Sequence, residues 1–301
     1  MKGQMDKISI KSLKTAEILD FLKKHGQPKF RANQILEWLY LHQVNEFEQM
    51  TNLPNSLIDQ LTSTFVIEKI TAKDIQKSAD GCRKYLLELH NSDKPNSKSY
   101  IEAVGIPSNS SSNRLTICIS SQVGCPMDCS FCATGQQGFT RNLTVGEIVD
   151  QVLFVSNDFN IRASNIVVMG QGEPFLNYEN LVEALEIINN PKLLNIGARK
   201  ITVSTSGIIP SIRKFANIDK QYGLAISLHS AIQEKRNYLM HGTKNYNLKA
   251  LRKALEEYIS KTNRRITFEY LMIKDVTDTE EDLIALKNYC DNLLCHINLI
   301  K

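Results

Sequence analysis

The chain has 301 residues, 42% of them hydrophobic, and a formal net charge of +4. It can bury a substantial core, and its 14 glycines and 8 prolines leave no room for a long disordered tract. No apolar run is long enough to span a bilayer, and the N-terminal MKGQMDKISIKSLKTAEILDFLKKHG lacks the continuous apolar stretch of a secretory signal. The first predicted elements are helices. TAEILDFLKKHG (15–26), QPKFRANQILEWLYLHQV (27–44) and NLPNSLIDQLTSTF (52–65) carry apolar residues at helical spacing, the last with a proline near its first turn. The period then shortens. VIEKITAKDI and CRKYLLELH read as strands, and NSDKPNSKS (91–99) as a polar turn. We therefore expect a small, mainly helical N-terminal domain over 1–95 and a second domain over 96–301.

The second domain alternates. Strands are predicted at RLTICIS (114–120), NIVVMG (165–170), KITVSTS (200–206), YGLAISLH (222–229), RITFEYLMI (265–273) and HINLI (296–300). Between them lie VGEIVDQVLFVSN, NLVEALEIINN, PSIRKFAN, LKALRKALEEYIS and EEDLIALKNYCDNL, all with helical periodicity. This pattern implies a parallel sheet with right-handed crossovers. Six strands are too few for an eight-stranded barrel and no GxGxxG follows a strand, so an open, partial (β/α)6 barrel is expected. Its chemistry should collect at the C-terminal ends of the strands. Charge is uneven as well: residues 191–265 hold fifteen Lys and Arg against four Asp and Glu. Solvated helix faces account for some of this surplus; a surface for phosphate backbone is the alternative reading.

Seven cysteines, an odd number, in a chain without a visible export signal point to reduced thiols. The expected compartment is the cytoplasm, with an organelle stroma as the alternative. Four of the cysteines fall within CISSQVGCPMDCSFCAT (118–134), where Cys125, Cys129 and Cys132 form C-x3-C-x2-C. A structural zinc site wants two close ligand pairs, and no second pair is present. A dithiol redox motif leaves Cys125 unexplained. Three thiolates in one loop can hold three corners of a [4Fe–4S] cluster and leave the fourth iron for a non-protein ligand.

That motif after the first barrel strand resembles the radical S-adenosylmethionine (SAM) superfamily. CISSQVGCPMDCSFCATGQQGFTRNLTVGEIVDQV, VVMGQGEPFLNYENLVEAL, RKITVSTSGIIP, LAISLH and the N-terminal QPKFRANQILEWLY resemble, more narrowly, its adenine C2-methyltransferases of 23S rRNA and tRNA. The resemblance runs from about residue 10 to residue 300. It implies radical methylation of an adenosine at C2 in the peptidyl-transferase centre, and of a tRNA adenosine as a second candidate target. Implied partners are these RNAs and an electron donor such as flavodoxin or ferredoxin, with no membrane and a monomeric enzyme. Cys125, Cys129 and Cys132 match the cluster ligands, and SAM binds the open iron. Phe131 matches the aromatic beside the last ligand, where plain packing is an equal reading. Gly172 and Glu173 in GQGEP match the Gly-rich segment that meets the methionyl ammonium. Ser204, Ser227, Leu228, His229 and Asn298 match further SAM contacts. Glu102 aligns with a proton acceptor and Cys118 with the cysteine that resolves the protein–RNA adduct; alone, they would read as a strand-face carboxylate and a small buried side chain.

Members of the family continue past the sixth strand through an extension bearing a second catalytic cysteine, which carries the methyl group. This sequence ends at INLIK, and its downstream cysteines, Cys290 and Cys295, read as packing residues. The expectation is a fragment, a truncated frame or a shortened homologue that binds cluster, SAM and RNA without methylating. An RNA methylthiolase is disfavoured, since no second cysteine trio is present, and a plain zinc domain ranks last.

Overall fold

The computed structural model describes residues 7–89, 98–108 and 113–301. The predicted boundary near residue 95 and most of the predicted polar turn lie outside the described residues. The chain opens with β1 (Ile8–Ser9), α1 (Thr15–Lys24), α2 (Arg31–Tyr40), α3 (Asn55–Thr64) and β2 (Phe65–Val66). There follow β3 (Thr71–Lys77), β4 (Arg83–Leu89), β5 (Ser99–Pro107), β6 (Leu115–Cys118), β7 (Gln122–Gly124), α4 (Ala133–Gln136) and β8 (Phe139–Asn142). Next come α5 (Val145–Phe159), β9 (Asn165–Val168), α6 (Tyr178–Asn189), β10 (Ile201–Thr205), α7 (Ile209–Phe215), β11 (Gly223–Ser227) and α8 (Gln233–Leu239). The last elements are α9 (Leu248–Thr262), β12 (Ile266–Leu271), α10 (Glu280–Cys290) and β13 (Cys295–Ile300). All six predicted barrel strands form, as β6 and β9 to β13. No helix among the described residues is long and apolar enough to cross a membrane.

The chain divides into two compact units. The first comprises Met1–Ile119, Leu143–Asn165 and Glu179–Gly197. Here β3, β4, β5 and β6 pair antiparallel in sequence order. The three N-terminal helices bury the positions their periodicity selects, Ile18 and Leu22 on α1, Ile35, Leu36 and Leu39 on α2, Leu57 and Leu61 on α3. Pro54 stands at the N-cap of α3, just outside the helix, where its missing N–H costs nothing. Helix α5 starts from a capping box, with Thr144 accepting from Glu147 N–H, and ends on Asn160 in the left-handed conformation. It buries Ile148, Val149, Val152 and Val155, and its Asp150 takes Lys11 Nζ at 2.7 Å in a buried ion pair.

The second unit comprises Ser120–Asn142, Ile166–Tyr178 and Ala198–Lys301. Strands β9 to β13 pair in parallel and in sequence order. Parallel strands covered on both faces read as apolar runs, and Ile201, Val203, Leu224, Ala225, Ile226, Ile266 and Phe268 are fully or nearly buried. Asn247 caps α9 by accepting from Ala250 N–H, and Thr279 caps α10 by accepting from Asp282 N–H. Lys235 on α8 bonds the buried Asp282 at 2.7 Å. The sequence reading missed the β7–β8 hairpin and α8, both too short to show a period.

Candidate active site

A cavity of about 270 Å³ opens in the second unit where the parallel strands end. Its wall holds Val168 to Gly170 at the end of β9 and Gly172 to Pro174 after it, Ser204 to Ser206 at the end of β10, Ser227 and His229 at the end of β11, Glu269 on β12 and Ile300 on β13. Cys125, Met127, Cys129, Phe131 and Cys132 complete it. The first unit has a larger cleft, about 380 Å³, but no thiol, carboxylate or imidazole is among its lining residues. We place the chemistry in the smaller one.

The cysteine loop is gripped from two sides. In the β7–β8 hairpin Gln122, Val123 and Gly124 pair with Asn142, Arg141 and Phe139, and Cys125 N–H donates to Gly138 O at 2.9 Å. Gly124 has φ +73°, and a Cβ there would fall 1.9 Å from Gly138 O, so only glycine allows the approach. On the other side Ser130 N–H donates to Leu239 O and Gly242 N–H to Met127 O, each at 2.9 Å, and Cys129 forms a bridge with Met240.

The Gly-rich segment is clipped onto residues 120–122. Ser121 N–H donates to Gln171 O at 2.8 Å, Gln171 N–H to Ser120 Oγ at 2.8 Å, and Glu173 N–H to Gln122 Oε1 at 2.8 Å. Gly172 has φ +101°, and an added Cβ would lie 2.6 Å from Gln122 Cβ. The sequence reading tied this glycine to close approach of a ligand; the neighbouring chain already requires it. Glu173 is 3% exposed. Its Oε1 accepts from Phe175 N–H at 3.0 Å and Thr205 Oγ1 at 2.7 Å, and its Oε2 from Ser206 N–H at 2.7 Å, which leaves acceptor capacity on Oε2. Burial raises its carboxyl above the usual range, while the Ser206 and Thr205 donors pull it back.

Two of the thiols, Cys125 and Cys129, are in the wrong state to be ligands unaided. Burial pushes Cys125 up to about 11 and Cys129 up to about 12, with the neighbouring thiols and Glu173 adding to Cys129 and Arg236 opposing. Amide N–H groups of Met127 and Gly172 favour the Cys125 thiolate, but not enough to outweigh burial. Thiolates here need a cation to stabilise them. Among the described residues no group of three His, Cys, Asp or Glu side chains is placed to hold a single metal ion. An iron–sulfur cluster makes a different demand, because each thiolate meets its own iron. Three half-buried thiols along one cavity wall, with a backbone amide beside Cys125, fit that demand.

His229 lies in the left-handed region at φ 54° and is 7% exposed. Its Nδ1 accepts from Leu271 N–H at 3.1 Å, so the proton of the neutral ring sits on Nε2. Burial, helped by Arg236, lowers its pKa to about 4, so the ring is neutral near pH 7. Phe131 packs edge-on to this ring at 4.9 Å, so its packing reading holds beside its place in the wall.

Eight expected site residues thus meet in one cavity: Cys125, Cys129, Cys132, Gly172, Glu173, Ser204, Ser227 and His229. Leu228 is fully buried, with its N–H on Glu269 O at 3.0 Å. Asn298 is not in the wall; its Nδ2 donates to Glu269 Oε2 at 2.7 Å, and Glu269 is. Glu269 was missed, although a carboxylate inside the apolar run RITFEYLMI was the available signal. Glu102 and Cys118 belong to the first unit: Glu102 pairs with Lys84 at 3.1 Å, and Cys118 ends β6 opposite Val104. The basic stretch is not one surface. Exposed Arg199, Lys200, Lys220, Lys261 and Arg265 precede β10, β11 and β12, at the strand ends opposite the cavity, whereas exposed Lys244 follows β11 on the cavity side.

Two family models match: the Radical SAM superfamily over residues 119–286, and the Ribosomal RNA large subunit methyltransferase N-terminal domain over residues 8–67. A Listeria welshimeri protein named probable dual-specificity RNA methyltransferase RlmN is 42% identical over 98% of this chain and 80% of its own length. Its namesake from Geobacillus kaustophilus is 46% identical over 97% of this chain and 78% of its own. The crystal structure of a radical SAM methyltransferase from Sphaerobacter thermophilus superposes with a TM-score of 0.84 at 36% identity, covering 97% of this chain and 84% of that one. The chain therefore belongs to the radical SAM superfamily and, within it, to the RlmN family of dual-specificity RNA methyltransferases.

Proposed function

We propose that this protein methylates C2 of an adenosine in 23S rRNA, in the peptidyl-transferase centre, with a tRNA adenosine as a second target. The observation that carries the reading is the single cavity in which three cysteines, Glu173, Ser204, Ser227 and His229 meet at the strand ends. A [4Fe–4S] cluster and SAM, the cofactors of this superfamily, supply when bound the radical chemistry that an electrophilic carbon such as adenine C2 requires. Cys125, Cys129 and Cys132 would hold the cluster as thiolates, giving up their protons on loading. Glu173 offers Oε2 to the methionyl ammonium, and His229 offers its Nε2 proton as a donor. Ser204 and Ser227 add hydroxyls from neighbouring strands. In the first unit Glu102 takes the role of proton acceptor and Cys118 that of the thiol that releases the product, on their match to the family's motifs. Residues 1–95 serve as an RNA-binding accessory domain to the 96–301 core. The protein works as a monomer fed by a flavodoxin- or ferredoxin-class electron donor. Identities of 40–46% over nearly the whole chain favour this over a relative that binds without methylating.

Anaerobically purified protein should carry about four irons and four sulfides per chain, the content of one [4Fe–4S] cluster. Changing Cys125, Cys129 or Cys132 to Ala should abolish this content, and Cys118→Ala should not. With SAM and dithionite the protein should release 5′-deoxyadenosine. Deleting its gene should remove 2-methyladenosine from 23S rRNA digests; zinc in place of iron, or unchanged 2-methyladenosine in the deletion strain, overturns the reading.

A further inference from the structure

Arg236 is a buried cation that pairs with no anion among the described residues. It lies on α8, is 0% exposed, and none of the ion pairs formed by the described residues includes it. Its Nη2 donates to the carbonyl of Ser206 and, at 3.4 Å, to that of Ser227. Nε and Nη1 are buried with no hydrogen-bond partner among the described residues. A guanidinium is not relieved by losing its proton, so such a position is costly unless negative charge arrives nearby.

The fold shows where that charge would come from. The segment that follows Arg236 carries the clamp on the cysteine loop, through Leu239 O, Met240 and Gly242. Arg236 O accepts from Met240 N–H at 2.8 Å, and Met240 is the residue that bridges to Cys129. A cluster held by three thiolates is anionic, and taking up one electron makes it more so. One short helix thus brings the loop its grip and a fixed positive charge. The same guanidinium bonds the carbonyls that end β10 and β11, the strands that carry Ser204 and Ser227.

We propose that Arg236 is the counter-charge of the iron–sulfur cluster: a positioning residue, touching neither SAM nor RNA, that eases the cluster's one-electron reduction. The proposal rests on reading the cysteine trio as a cluster seat. A cation beside the couple favours the reduced, more negative form. Replacing it with a neutral side chain should make reduction harder, by about tenfold in the equilibrium constant, which is about 59 mV for a one-electron couple. Lysine in its place should preserve most of that effect while losing the planar fork.

The test uses full-length wild type, Arg236→Met and Arg236→Lys, each loaded with iron and sulfide under anaerobic conditions. Iron is counted, and the cluster is titrated with dithionite while its paramagnetic reduced state is followed by electron paramagnetic resonance. A more negative potential in R236M, with a potential near wild type in R236K, is the expected result. If R236M fails to fold or load, Arg236→Gln, neutral but polar, takes its place in the same titration. Equal potentials in wild type and R236M, or a shift in R236K as large as in R236M, overturn the proposal and leave Arg236 a pin for two carbonyls. Failure of the wild type to load any iron overturns the cluster reading itself, which separates the two failures.

Discussion

Glu173 was singled out as a SAM contact and Glu102 as a proton acceptor, and the two regions around them could hardly differ more. Glu173 sits in the second unit with three donors on its oxygens and almost no exposure. Glu102 sits on β5 of the first unit with a side chain 40% exposed and a lysine at 3.1 Å whose own side chain is 46% exposed. A buried carboxylate surrounded by fixed N–H and O–H groups is a preorganised acceptor, and an added cation interacts with it strongly because water cannot screen the pair. An exposed carboxylate on a lysine is a surface pair, weakened by solvent and salt. Identical side chains therefore carry different energies.

Glu173→Gln gives the largest expected effect. Glutamine matches the shape but sets an N–H2 against donors, so one or more of Phe175 N–H, Thr205 hydroxyl and Ser206 N–H loses its acceptor. The expected loss is about 3 kcal/mol of stability, from the cost of unmade hydrogen bonds to a charged group. SAM binding, followed by equilibrium dialysis, should disappear. Wild-type affinity in this variant would erase the contrast between the two glutamates.

His229 sharpens the picture of the same cavity through pH. Its folded pKa of about 4 lies below the ordinary 6.5, so over the interval between them the unfolded chain binds the extra proton. Stability from this group is present above the unfolded value and is lost as pH falls toward the folded one. Between pH 7 and pH 5 the loss amounts to about 2 kcal/mol, because each tenfold rise in proton concentration below the unfolded value costs roughly 1.4 kcal/mol. Urea unfolding of wild type and His229→Asn at both pH values should show a smaller drop in the variant, whose asparagine tolerates the left-handed backbone. Equal drops would place the acid sensitivity elsewhere.

The smallest effect is expected at Glu102. Glu102→Gln should change stability by less than about 1 kcal/mol, because the pair with Lys84 is exposed at both ends. SAM cleavage should be unaltered, while RNA methylation should fall if the carboxyl is the proton acceptor. A larger stability loss, persisting in high salt, would show that Glu102 is held more firmly than its surface pair accounts for.

Much of this site could be read from the residues because its parts are local in sequence. C-x3-C-x2-C is one loop, GQGEP one turn, and the strand ends carrying Ser204, Ser227 and His229 follow directly from periodicity and from the rule that parallel strands present their chemistry at one end. The barrel strands were legible for the same reason: β-branched runs alternating with helical ones leave few topologies. What periodicity cannot show is which distant segments touch. The grip of residues 239–242 on the cysteine loop, the clip of 120–122 on the Gly-rich turn, and the interception of Asn298 by Glu269 are contacts between residues far apart in the chain. Nor could composition reveal that the basic stretch divides between opposite strand ends, or that one of its arginines is buried with no anion on it among the described residues. Sequence alone determined the residue types and their order along each strand. Tertiary packing decided which of them lost their water, and burial is what separates the two glutamates, raises Cys125 and Cys129 and leaves Arg236 a charge that no described residue neutralises.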